Sequence, residues 1–192
     1  MLCYYIIGFC FVERMSSLAD TRKKKNEWIE WSKAIVIAIL LAFLLRAFIF
    51  ATSIVEGDSM LPALEDGERI IFNKIVYIVG DPDRGDIIII QHPEKNYVKR
   101  IIGLPNETIE MRNHELYVND IKQDSSYVDD YYAKLTGNFG PITIPEDNYF
   151  VMGDNRPISK DSRNGLGFIQ RSDIIGRSEF IIYPFEEWGI TK

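Results

Sequence analysis

Three short clusters hold most of the side chains that could do chemistry. The first is Glu56-Gly57-Asp58-Ser59-Met60-Leu61-Pro62-Ala63-Leu64. Gly57 lets backbone approach closely, and Pro62 fixes φ and removes a donor. Such punctuation suits a serine held at the mouth of a cleft, and equally an ordinary turn serine. The second is Tyr97-Val98-Lys99-Arg100-Ile101-Ile102-Gly103-Leu104-Pro105. Strand side chains alternate between faces, so Lys99 and Arg100 point opposite ways and one of them faces the interior or a cleft. Burial disfavours the charged amine, and a neutral lysine is a competent general base. The plainer reading is an edge strand whose cations guard against aggregation. The third is Gly153-Asp154-Asn155-Arg156-Pro157-Ile158-Ser159-Lys160-Asp161-Ser162-Arg163. Its density of Asp, Asn, Arg and Ser suits a loop with internal Asp–Arg pairs, or simply a solvated surface loop.

A nucleophilic serine needs a base. A Ser-His-Asp triad would have to use His92 or His114, the two histidines of the chain. His92 sits beside Pro93 and His114 in Arg112-Asn113-His114-Glu115, both turn-like settings rather than those of a buried base. A Ser-Lys dyad is the remaining arrangement, and Lys99 is the lysine in the most apolar surroundings. Both cysteines, Cys3 and Cys10, fall in the first ten residues. The rest of the chain therefore has neither a disulfide framework nor a thiolate metal site, and no metal or cofactor is expected. A net charge of -6 argues against nucleic acid as a partner.

The elements that must position these clusters are mostly strands. Runs rich in β-branched residues recur at Arg69–Ile75, Asp86–His92, Tyr97–Gly103, Thr108–Arg112, Glu115–Val118, Tyr149–Gly153 and Ile174–Tyr183. Turn chemistry separates them, as at Asp66-Gly67, Gly85-Asp86, Pro105-Asn106 and Asn119-Asp120. The pattern predicts a mainly β domain over residues 56–192, a sandwich or partly open barrel. Gln123–Pro141 reads as an irregular surface loop.

Ahead of this domain the chain changes character. The charge balance is +3 up to Arg46 and −9 from Ala47 onward. Between them, residues 31–55 are strongly apolar, and Arg46 is the one charge from Ala34 to Val55. About 20 apolar residues span a bilayer core, so residues 31–55 are expected to be a single transmembrane anchor. Arg22, Lys23, Lys24 and Lys25 precede it, which puts residues 1–30 in the cytoplasm and the β domain outside the cell membrane. Arg46 would snorkel to the outer headgroups. A cleaved signal is the alternative, but the run exceeds the usual apolar core of about 7–15 residues. Residues 1–14 are apolar yet too short to span. Met15 offers a second start site, which would make residues 1–14 a mis-assigned beginning.

Taken together, the boxes GDSMLPAL, YVKRIIGLP and GDNRPISKDSR, in this order behind an N-terminal anchor, resemble those of bacterial type I signal peptidases. The short gap between Lys99 and Gly153 is similar to the compact Gram-positive type. The resemblance implies a signal-peptidase-type β fold and a membrane-bound serine endopeptidase that cuts after small-x-small sites such as Ala-x-Ala. It implies Ser59 as nucleophile, Lys99 as general base and Ser159 as the residue orienting that lysine. Asp161, Arg163, Asp154 and Arg156 would brace the active-site loop, with Arg100 nearby. Met60, Tyr97 and Val98 would line the small pockets. The partners implied are secretory precursors, membrane lipid and the neighbouring secretion translocon. Some members carry a serine two residues before the nucleophile as an oxyanion donor. Here that residue is Gly57, so the backbone N–H of Gly57 or Ser59 is expected to donate instead. Ala63 and Asn106 also depart from the pattern. The rival readings are a relative of the self-cleaving repressors, which lacks support without a DNA-binding region, and a non-catalytic tethered binding domain that kept the fold.

Overall fold

The structure is a computed structural model that describes residues 27–44, 46, 49–124 and 126–191. The chain divides into two compact units, residues 1–46 and 47–192. The described part of the first unit forms a helix, α1, over residues 27–44. Glu27, Glu30 and Lys33 charge its beginning, and its apolar side chains are exposed all along its length, from Trp28 to Leu44. Among the described residues no helix is long and apolar enough to cross a membrane. Residues 1–14 and the basic cluster 22–25 lie outside the described residues.

The second unit is built on two antiparallel sheets. Its strands are β1 (Phe50–Ile54), β2 (Arg69–Asn73), β3 (Ile87–Ile90), β4 (Tyr97–Gly103), β5 (Thr108–Arg112) and β6 (Glu115–Val118). They continue with β7 (Ile121–Lys122), β8 (Phe139–Thr143), β9 (Asn148–Met152), β10 (Ile169–Gln170), β11 (Ile174–Tyr183) and β12 (Gly189–Ile190). The larger sheet runs β1-β2-β11-β3-β4-β9-β10, with β12 paired to β11. The smaller runs β7-β6-β5-β8. Two short helices, α2 (Val76–Val79) and α3 (Asp130–Lys134), complete the domain.

The seven strands expected from β-branched runs all appear; four keep their expected bounds, Arg69–Asn73 and Ile87–Ile90 are shorter by two and three residues, and Asn148–Met152 is shifted by one. The apolar span does not behave as one element. Its last residues, 50–54, form β1 and pair with β2 from Phe50↔Asn73 to Ile54↔Arg69. Their alternation of exposed and half-buried positions is that of a strand with one face on a core. The following Val55 packs with Met60, Leu64, Ile70 and Phe72. Hydropathy averages over such a strand and merges it with the helix before it. The stretch 123–141 is also more ordered than its composition suggests. It contains α3, capped by the Asp129 carboxylate on the Tyr131 N–H, and the start of β8, and it buries Val128 and Thr136.

Candidate active site

Three neighbouring segments build the site. β1 leads through Gly57 into a single 3-10 turn, Asp58–Met60, which carries Ser59. Met60 is buried in the core beside Val55 and Leu64, and this pins the turn. β4 brings Lys99 in register opposite Ile88 of β3. The segment after β9 closes over both: the Asn155 N–H donates to the Ser59 carbonyl at 3.1 Å, and the Asn155 side-chain amide donates to the Asp58 carbonyl at 3.0 Å.

Lys99 Nζ and Ser59 Oγ are hydrogen-bonded at 2.6 Å. Lys99 is 3% exposed. Burial lowers its pKa to about 8, while the carboxylates of Asp161 and Asp154 pull the other way and Lys95 adds a further small depression. A usable fraction of neutral amine therefore exists near neutral pH, and a neutral amine beside a serine hydroxyl is what proton abstraction needs.

Arg100 points to the opposite face and is also buried. Its Nε and Nη2 donate to both carboxylate oxygens of Asp154, the shortest at 2.6 Å, and its Nη1 donates to the Gly85 carbonyl at 2.8 Å. Asp154 thus pairs with Arg100 rather than within its own loop. The pair expected inside the loop does form between Arg163 and Asp161, at 2.8 Å. Arg163 also donates to the Arg156 carbonyl, and Asp161 accepts from the Gly153 N–H at 3.1 Å. Arg156 is buried, donates to Thr136 Oγ1, and has its pKa lowered chiefly by burial.

Two expectations change. Ser159 Oγ accepts from the Gly153 N–H at 3.1 Å and makes no hydrogen bond to Lys99. It is fully buried against Gly153, whose backbone lies on the Ser59 carbonyl, so its hold on the dyad runs through the loop. The Gly57 N–H is not free for an oxyanion, because it donates to Asp66 Oδ1 at 2.6 Å. A carboxylate nine residues on captures it, which leaves Ser59 N–H as the backbone group at the dyad.

Asn155, Gly153 and Asp66 are the functional positions that motif spacing missed. Asn155 and Gly153 stand in the third box, but nothing in their types announces contact with a serine nearly a hundred residues earlier. Asp66 reads as an ordinary turn residue before Gly67. His92 packs edge-on against Tyr97, and His114 Nδ1 contacts the Thr136 carbonyl.

A groove of about 390 Å³ leads to the dyad. One wall is residues 52–56 with Ser59 and Met60, and the other is residues 95–99. Met60, Tyr97 and Val98 all line it. β9 first pairs with β4 at Arg100↔Met152. Tyr97–Lys99 therefore have β3 on one side and, among the described residues, no strand on the other. β1 ends the sheet. The groove is bounded by two strand edges with open backbone groups.

The chain is similar to several known proteins. The family model for signal peptidase, peptidase S26, matches residues 28–183. Signal peptidase I S of Bacillus subtilis (strain 168) is 49% identical, with 91% of this chain and 99% of that protein covered. Signal peptidase I of Bacillus licheniformis is 51% identical over 85% of this chain and 93% of its own length. A crystal structure of a signal peptidase I from Enterococcus faecalis V583 is 35% identical and covers 51% of this chain and 97% of that one, with a TM-score of 0.43.

Proposed function

The chain belongs to the signal peptidase family, peptidase S26, and from that premise we propose how its own residues remove signal peptides from secretory precursors. It is a serine endopeptidase of the signal peptidase I kind. The observation that carries the mechanism is the 2.6 Å contact between Ser59 Oγ and a buried Lys99 with pKa about 8.

The precursor lies extended between the edge of β1 and the free edge of Tyr97–Lys99, adding a strand. Met60, Tyr97 and Val98 restrict the side chains ahead of the cut to small ones. The neutral Lys99 amine takes the Ser59 proton as Oγ attacks the scissile carbonyl carbon. The Ser59 N–H donates to the developing oxyanion. The intermediate collapses, the C–N bond breaks, and the Lys99 ammonium returns its proton to the departing amine of the mature protein. Lys99 then draws a proton from water, which attacks the acyl ester; the bond from the acyl carbon to Ser59 Oγ breaks, Lys99 returns the proton to Oγ, and the signal peptide leaves with a new carboxyl terminus. Asp161, Arg163, Asp154, Arg156 and Ser159 position the loop that holds this geometry, and none of them touches the reacting atoms.

The protein works at the cell membrane, with its N-terminus cytoplasmic and the β domain outside, close to the translocon that delivers precursors. Two features support lipid contact. The apolar side chains of α1 are exposed along the whole described helix, as in a helix made for lipid. On the β domain, Phe180, Phe185, Trp188 and Ile190 form an exposed apolar surface around β11 and β12.

Cleavage of an Ala-x-Ala precursor in detergent, comparing wild type with Ser59→Ala and Lys99→Ala, tests the mechanism. Cutting by wild type alone is the expected result. Cutting by Lys99→Ala would move the base elsewhere. A folded wild type that does not cut would favour a tethered binding domain.

A further inference from the structure

Two lysines near the groove make no hydrogen bond to the dyad, and Lys95 acts on Lys99 only through space. Lys95 lines the groove, and its Nζ lies 5.6 Å from the centre of the Tyr97 ring. Lys160 Nζ lies 5.9 Å from the same ring. Both are exposed, and neither has a carboxylate partner among the described residues. Elsewhere in the β domain some cations are paired, as Arg112 with Glu110 and Asp120 and Lys122 with Glu115, and others, such as Lys74 and Lys134, have no carboxylate partner among the described residues.

The Lys160 stem passes close to Gly165. Its Cε would stand 3.0 Å from a Cβ on Gly165, a residue with φ +104, so the loop makes room for the lysine stem with a glycine. Its neighbours Ser159 and Asp161 are fully buried. The backbone that carries Lys160 is therefore anchored on both sides, and its ammonium lies near the Tyr97 ring. A tyrosine face attracts such a cation and orients it without neutralising it, which leaves the positive charge available to an anion.

We propose that Lys95 and Lys160, gathered over Tyr97, form a carboxylate-binding rim that selects precursors with an acidic residue a few positions ahead of the cleavage site. This rests on the peptidase reading above. Both groove walls run in chain order toward the dyad, so a precursor strand laid parallel to them reaches Tyr97 before Ser59. Tyr97 lies two residues before Lys99, about 7 Å at ~3.3 Å per residue, and Lys95 folds back over the same ring. The third residue before the cut occupies a small pocket, so the rim serves the fourth or fifth.

The test uses one precursor with Asp, Asn or Lys at the fourth or fifth residue before the cut, in a non-ionic detergent that offers no competing anionic headgroup. Enzymes are the full-length wild type, Lys95→Gln, Lys160→Gln, the double variant and Ser59→Ala. In wild type, Asp is expected to exceed Asn in kcat/KM by about two- to tenfold, mostly through KM, as suits exposed ion pairs. Lys should fall below Asn. The Asp/Asn ratio should shrink in each single variant, approach one in the double, and weaken at ~1 M salt, where the screening length is about 3 Å. Each enzyme is normalised to its own Asn precursor, so a general change in catalysis cancels. An Asp/Asn ratio of one in wild type at both positions, or the same ratio in wild type and the double variant, would overturn the rim. Cleavage of the Asn precursor by wild type and not by Ser59→Ala judges the peptidase mechanism separately.

Discussion

Lys99 and Arg100 are consecutive cations on one strand, both buried, and they are treated in opposite ways. Arg100 meets a carboxylate, Asp154, at 2.6 Å and has the fork of bonds that suits a permanent charge. Lys99 meets a hydroxyl, Ser59, and its nearest carboxylates act only through space. The pleat separates the two environments by one residue. The arrangement anchors the strand with one cation and leaves the other free to lose its proton.

The pH dependence of kcat/KM should report Lys99. Its pKa lies near 8, so the neutral amine is the minority form below that value. The rate should rise with pH through about 8, and on the acid side it should fall tenfold per pH unit. A steady-state profile in detergent checks this, and a flat rate down to pH 5 would contradict a lysine base.

The same buried amine should cost stability. Its folded pKa, about 8, lies below its ordinary value of 10.5. The folded chain then binds fewer protons than the unfolded one between those two values, and this group's contribution rises with pH across that window. Below about 8 the penalty is complete, about 3 kcal/mol at ~1.36 kcal/mol per unit. Lys99→Met should therefore abolish cleavage and yet raise the urea midpoint at pH 7. A variant that is both inactive and clearly less stable would place Lys99's value in its polar contacts instead.

Much of the fold was legible because β-branched runs and turn residues are local signals. Arg69–Asn73, Tyr97–Gly103 and Thr108–Arg112 emerge as strands from their own composition. β1 was hidden because Phe50–Ile54 is as apolar as the helix before it, and only pairing with β2 reveals it. β7, β10 and β12 have two residues each, too few to show a period. At the site, Ser59 and Lys99 could be paired by eliminating other bases. The Asn155 bonds to Asp58 and Ser59, and the capture of Gly57 by Asp66, are tertiary facts that no local pattern encodes.

Breaking the Arg100–Asp154 pair from one side should destabilise the domain and not merely slow catalysis. Asp154→Ala leaves the guanidinium buried beside the Gly85 carbonyl without its carboxylate. Loss of one partner of such a pair typically costs about 3–5 kcal/mol. Chemical denaturation should show that loss, and a change below about 1 kcal/mol would mean that water reaches Arg100 readily.

Trp188 should sense lipid. It is among the exposed apolar residues of the C-terminal surface, with Phe185 beside it in sequence. With Trp28 and Trp31 replaced by Phe, its fluorescence should be quenched by quenchers carried on acyl chains when the protein is reconstituted in vesicles. Quenching by aqueous iodide alone, undiminished by vesicles, would assign the surface to solvent or to a protein partner.

Gly153→Ala should damage the site more than the fold. A Cβ there would run into the Ser59 carbonyl oxygen and the Ser159 hydroxyl, inside van der Waals contact with both. One of these is backbone and the other is fully buried, so neither yields by a simple rotamer change. Moving the Ser59 carbonyl disturbs the Asn155 N–H bond to it and shifts the turn that carries Oγ. Overpacking of this kind costs about 1–3 kcal/mol in stability, an amount a folded domain tolerates. Catalysis is less forgiving, because a displacement of about 1 Å can cost about a hundredfold. The expected outcome is a domain that still unfolds cooperatively with kcat reduced about a hundredfold or more and a smaller change in KM. Ser159→Ala, which keeps the space but removes the hydroxyl that receives the Gly153 N–H, should lose less. If Gly153→Ala retained wild-type kcat, the loop would have to be looser than its bonds to Asp161 and Ser159 indicate, and the dyad would be positioned by β1 and β4 alone.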